Sequence, residues 1–145
     1  MLKPKGMLSF PNAFTQIKQK RYMDIEILKS KTVLFVEDED LLRDAIAKFL
    51  GRRCKEVYVA SNGKEGLKAY KKHKPDLVIT DIEMPRMNGI ELIDEIEKLD
   101  PDNPTIIVSA YNDDAHNDSR AYSRIIKPIE NRYLLQLMID AICKK

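Results

Sequence analysis

Five short apolar runs, rich in β-branched residues, recur along the chain. They are Thr32-Val33-Leu34-Phe35-Val36, Val57-Tyr58-Val59-Ala60, Leu77-Val78-Ile79, Thr105-Ile106-Ile107-Val108 and Arg124-Ile125-Ile126. Each is too short for a helix, and a continuous apolar pattern marks a strand buried on both faces. Between them the period changes. Leu41, Leu42, Ala45, Ile46, Phe49 and Leu50 make one helical face that Gly51 ends. Asn62 followed by Glu65 is a capping-box pattern, starting a helix that runs to about His73 and breaks before Pro75. Ile90, Ile93, Ile96 and Leu99 form the inner face of a third helix, closed off by Pro101 and Pro104. Leu134, Leu137, Met138 and Ile142 line a last one. Strands alternating with helices predict an α/β fold with a doubly wound five-stranded parallel sheet, because every parallel crossover needs a connecting element. The common five-strand order is 2-1-3-4-5.

The first thirty residues do not follow this pattern. Phe14, Ile17, Tyr22, Ile25 and Leu28 make a loose helical stripe, interrupted by Lys18, Lys20 and Arg21. Residues 1–29 carry six Lys/Arg and two Asp/Glu, whereas the chain as a whole has 25 and 23. They are expected to be a basic N-terminal extension, with the folded domain spanning 30–145. The near-balance of charge gives no argument for nucleic acid or membrane binding. Cys54 and Cys143 lie far apart in a chain without a secretory or membrane-length apolar stretch, so both read as reduced thiols of a cytoplasmic protein.

The chemistry sits where the strands stop. Glu37 and Asp38 follow the first strand, Asp81 ends the third, Ser109 follows the fourth and Lys127 the fifth. In the order 2-1-3-4-5, strands one and three are neighbours where the winding reverses, so Glu37, Asp38 and Asp81 share one crevice. Three crowded carboxylates repel unless a cation sits among them, and an all-oxygen site with room for water suits Mg²⁺. An ionised Asp81 can attack phosphorus to form an acyl phosphate. The Lys127 ammonium can neutralise charge on the transferring group, and the Ser109 hydroxyl can bond a phosphoryl oxygen. Taken singly, an acid at a strand end is a helix cap or a solvated charge, as Glu39 and Asp40 are expected to be. His73 and His116 are expected to have surface roles.

The pieces VLFVEDED, TDIEMPRMNG, IIVSAY and IIKP, in this order and all at strand ends, resemble the response-regulator receiver domain of two-component signalling, similar to its single-domain chemotaxis type. The resemblance spans about Ser30 to Lys145 and implies the flavodoxin-like version of the fold. It implies that Asp81 receives a phosphoryl group from a histidine kinase or histidine phosphotransfer protein. It makes Asp38, Asp81 and the backbone carbonyl of Glu83 direct Mg²⁺ ligands, with Glu37 acting through water. Ser109 takes the switch-hydroxyl role and Lys127 the phosphate-pairing role. Such a protein is a phosphoacceptor and not a turnover enzyme. Only 18 residues follow Lys127, so an output through contacts with an unidentified protein is expected, and a homodimer is compatible with the chain. The rival readings are a phosphorylation-independent scaffold and a dehalogenase-like aspartyl phosphatase. The first has no use for three crowded acids, and the second places its nucleophile on the first strand.

The chain departs from the family between Tyr111 and Ile126, an interval about four residues shorter than the family pattern. Its middle, NDDAHNDSRAY, has few apolar groups to bury, which predicts a short or irregular fourth helix. Arg124 occupies the place, three before Lys127, where the family commonly has a switch aromatic. Tyr122 is the nearest aromatic.

Overall fold

The computed structural model describes residues 12–16, 25–112, 118 and 120–143. Its strands are β1 (Thr32–Val36), β2 (Glu56–Ala60), β3 (Leu77–Asp81), β4 (Thr105–Ser109) and β5 (Ser123–Ile126). All pair in parallel in the order β2-β1-β3-β4-β5. Every residue of β3 and β4 is buried, as continuous apolar runs require of central strands. The edges differ: Val59 on β2 and Ile126 on β5 reach solvent.

The helices are α1 (Asp40–Gly51), α2 (Gly63–His73), α3 (Gly89–Leu99) and α4 (Asn131–Cys143). Ile46 and Leu50 of α1 pack with Leu134, Met138 and Ile142 of α4 over Val33, Phe35, Leu77 and Ile79. Alternate residues of the same strands, Leu34, Val36 and Val78, meet Tyr70 of α2 and Leu92 and Ile96 of α3 on the opposite face. The period-two alternation of strand side chains thus supplies two cores from one sheet.

Several boundaries shift from the sequence expectation. Gly51 is the last residue of α1, and Arg52 is its cap. Leu41, assigned to the inner face, is 82% exposed. On α3 the buried residues are Gly89, Leu92, Ile93 and Ile96, while Leu99 is exposed at its end. The reciprocal capping box belongs to Asn88 and Glu91; at Asn62 the side chain accepts from Glu65 N without the return bond. His73 stacks on Tyr58, ring centroids 3.8 Å apart.

Packing also reaches back before β1. A short 3-10 turn, Leu28–Ser30, buries Leu28 completely, and Ile25 and Ile27 lean on the same core. Phe14 is largely exposed, while Ile17, Tyr22 and His116 lie outside the described residues. So does the segment 113–117 and 119, on which the short or irregular helix between β4 and β5 is expected. After it, Tyr122 N–H donates to Thr105 O at 2.7 Å as β5 begins, and the Tyr122 ring leans on the α1–α4 core.

Candidate functional site

The carboxyl ends of β1, β3, β4 and β5 meet in one crevice. β1 gives way to Glu37, whose N–H still pairs with Ala60 O at 3.0 Å. This keeps Glu37 in the sheet plane and wholly buried, while the next residue, Asp38, turns out to solvent. Arg43, one turn into α1, donates from Nη1 to Glu37 O at 2.9 Å and from Nη2 to Asp40 Oδ1 at 2.7 Å. That arginine was not singled out from the sequence, although its i,i+3 spacing from Asp40 is a visible signal.

Asp81 ends β3, buried to 3% exposure. The loop after it returns tightly: Gly89 N–H donates to Ile82 O at 3.0 Å, and a Cβ on Gly89 would collide with the Asp81 carbonyl. Gly63 at the start of α2 is pressed against the Met87 carbonyl in the same way. Two glycines therefore let the β3–α3 loop lie flat beside Asp81. Glu83, on this loop, is exposed, and its N–H points to Asp81 Oδ1 at 3.3 Å.

Lys127 reaches in from the end of β5, where its N–H is held by Ser109 O at 2.8 Å. Its Nζ lies 3.0 Å from Asp81 Oδ2 and 3.1 Å from Glu37 Oε1. The contact with Glu37 is an ion pair without hydrogen-bond direction, so Oε1 is a buried carboxylate oxygen with no hydrogen-bond partner. Burial raises the Glu37 carboxyl from its usual 4.5 to about 7; Asp81 adds to the rise, and the Glu39 N–H and Lys127 oppose it. Burial works against the Lys127 charge, but its bonds to Asp81 and Glu37 outweigh that and raise its pKa.

Ser109 is fully buried, and its hydroxyl is engaged locally: Oγ accepts from Tyr111 N–H at 3.0 Å and donates to Tyr111 O at 3.1 Å. The next residue, Asn112, accepts from Arg124 Nη2 at 2.9 Å. Glu37, Asp38 and Asp81 each offer an oxygen within 4.8 Å of the others. This all-oxygen set, with one buried oxygen met only by the Lys127 ion pair and one solvent-facing acid, fits a hard divalent cation that keeps water ligands. All six residues named from the sequence, Glu37, Asp38, Asp81, Glu83, Ser109 and Lys127, thus lie on this one edge of the sheet.

The model of the response regulator receiver domain matches residues 33–139. The chain belongs to that family. It is a receiver domain of two-component signalling. The transcriptional regulatory protein AfsQ1 of Streptomyces coelicolor is 33% identical over 118 residues, 79% of this chain and 52% of its own length. The chemotaxis protein CheY of Thermotoga maritima is 42% identical over 86 residues, 59% of this chain and 72% of that protein. A chain of the CheX–CheY–BeF3–Mg²⁺ complex from Borrelia burgdorferi superposes with a TM-score of 0.70 at 26% identity, covering 76% of this receiver and 87% of that chain. The receiver spans about half the length of AfsQ1 and similarly long curated relatives. Among the described residues no helix is long and apolar enough to cross a membrane.

Proposed function

We propose that this receiver accepts a phosphoryl group on Asp81 from a histidine kinase or histidine phosphotransfer protein, and that the acyl phosphate changes its contacts with an output protein. The observation that carries the reading is the Lys127 ammonium 3.0 Å from Asp81 and 3.1 Å from buried Glu37. One cation between two buried acids fixes the nucleophile, and Asp38 beside them adds negative charge for a second cation to balance.

In the transfer, an Asp81 carboxylate oxygen attacks phosphorus in line with the donor's P–N bond. That bond breaks, and its electron pair leaves with the imidazole. Lys127 balances charge on the phosphoryl oxygens as it arrives. Asp38, Asp81 and the Glu83 carbonyl, with Glu37 through water, would hold Mg²⁺, which would supply the remaining neutralising charge. Ser109 must release Tyr111 O before its hydroxyl can donate to a phosphoryl oxygen. That release loosens Tyr111 and the neighbouring Asn112, which Arg124 holds. The signal then leaves through a polar tie at Arg124, in place of a rotating aromatic ring.

Titration with Mg²⁺ and then beryllofluoride, followed by backbone amide shifts, tests the reading. Joint shifts at Asp81, Glu83, Ser109 and Arg124 are expected. A spectrum unchanged by beryllofluoride contradicts phosphoacceptance and favours a scaffold that signals without phosphate.

A further inference from the structure

The net charge of +2 conceals a strong polarity on one face of the molecule. α2 and the residue that caps it carry Lys64, Lys68, Lys71, Lys72 and Lys74 against a single acid, Glu65. All five lysines are exposed, and Lys64, Lys68 and Lys72 follow the four-residue spacing of one helical stripe. Among the described residues only Lys68 has an ion-pair partner, Glu65, at 3.8 Å. α3 and the turn after it carry Glu91, Asp94, Glu95, Glu97, Asp100 and Asp102 against a single base, Lys98. The two helices lie side by side over the same core, so a basic ridge and an acidic ridge lie together at the surface, the acidic one partly offset by the Arg120–Asp94 and Lys98–Glu95 ion pairs. Between their C-terminal ends is a groove of about 430 Å³, lined by Tyr70, Lys71, Lys74, Leu99 and Asp100 among others. Leu99, the exposed leucine of α3, stands on its rim at 53% exposure.

We infer that this face is a self-association surface whose occupant is a second copy of the same chain. Adjacent ridges of opposite sign are self-complementary under a two-fold axis. The axis sets the α2 lysines of one copy on the α3 acids of the other, and the reverse contact follows by symmetry. Leu99, with Tyr70 and Pro75 beside it in the groove, adds a small apolar patch at the C-terminal ends of the two ridges. Exposed pairs steer and orient more than they bind, so the dimer is weak and sensitive to salt.

A charge-swap experiment on the full chain tests this by sedimentation velocity. One variant, Lys68→Glu with Lys72→Glu, makes both ridges acidic; another, Glu95→Lys with Glu97→Lys, makes both basic. Lys68, Lys72 and Glu97 are exposed and Glu95 is half-buried, and circular dichroism checks that each variant folds. The natural chain is expected to associate at low ionic strength and dissociate at high. Each variant alone is expected to be monomeric, and an equimolar mixture of the two to form a heterodimer tighter than the natural dimer. Leu99→Asp is expected to weaken association at least about tenfold. A natural chain that stays monomeric at low salt overturns the inference, including the case where it instead binds heparin as an anionic probe. So does a mixture whose components sediment independently.

Discussion

The ammonium of Lys127 sits 3.0 Å from the Asp81 carboxylate, and the same nitrogen lies 3.1 Å from Glu37. A single cation therefore bridges two buried acids that stand at the ends of different strands. Lys127→Ala leaves those acids facing each other without it. The substitution is expected to destabilise the metal-free chain by about 1–3 kcal/mol, since the lysine is partly open to solvent. It should also slow self-phosphorylation by small donors at least about tenfold. Chemical denaturation and a phosphorylation time course check the two effects. An unchanged rate removes Lys127 from the transfer.

Glu37 gives a pH dependence of opposite sense to that of an ordinary salt-bridged acid. In the unfolded chain it ionises near 4.5, whereas in the fold it keeps its proton to about 7. Between those values the unfolded state binds fewer protons, so this residue lowers stability as pH rises across the window. Its contribution is about 1–3 kcal/mol. Denaturation in the presence of a chelator should show the decline, and Glu37→Gln should flatten it. Saturating Mg²⁺ should oppose it, because the cation favours the ionised form. A Glu37→Gln profile that superposes on the natural one contradicts the assignment.

Gly89 is a test of the loop's shape. A Cβ there meets the Asp81 carbonyl and the Ile82 backbone, neither of which can give way as a flexible side chain can. Gly89→Ala is expected to cost about 1–3 kcal/mol and to impair phosphoacceptance. Gly51 has open space at the end of α1, so Gly51→Ala is expected to be neutral or slightly stabilising. Equal melting temperatures for the two variants speak against the tight loop.

We propose that the folded unit begins near Ile25, because Leu28 is fully buried and Ile25 and Ile27 pack beside it. A chain starting at Met23 is expected to melt within a few degrees of the full chain and to accept phosphate normally. One starting at Thr32 loses Leu28 and is expected to be destabilised by about 2–5 kcal/mol. A large drop for the Met23 chain assigns packing to the segment before it.

The sequence made the strands legible because β1, β3 and β4 are continuous apolar runs and each ends in a residue of conspicuous chemistry. Parallel pairing puts all those ends on one edge, so Glu37, Asp38, Asp81, Ser109 and Lys127 could be grouped once the strand order was assumed. Helix phase was harder to read. Ile90 and Leu99 share the apolar spacing of α3 with Ile93 and Ile96, but Leu99 runs past the sheet and Leu92 takes the buried place. Leu41 fits an apolar pattern yet sits in the first turn of α1, beyond the strand edge. Arg43 was hidden for another reason: it acts on the Glu37 carbonyl, and backbone acceptors leave no mark in a sequence. The Ser109–Tyr111 pairing is of the same kind, since both of its bonds use Tyr111 main-chain atoms.

The central claim is that Asp81 is the phosphoryl acceptor. Incubation with acetyl phosphate and Mg²⁺, followed by intact mass measurement, tests it most directly. The natural chain should gain one phosphoryl group, lose it on treatment with hydroxylamine, and gain none when Mg²⁺ is chelated. Asp81→Asn should gain none under any of these conditions while remaining folded. Full labelling of Asp81→Asn, or a natural chain that takes up no phosphoryl group, would contradict the account.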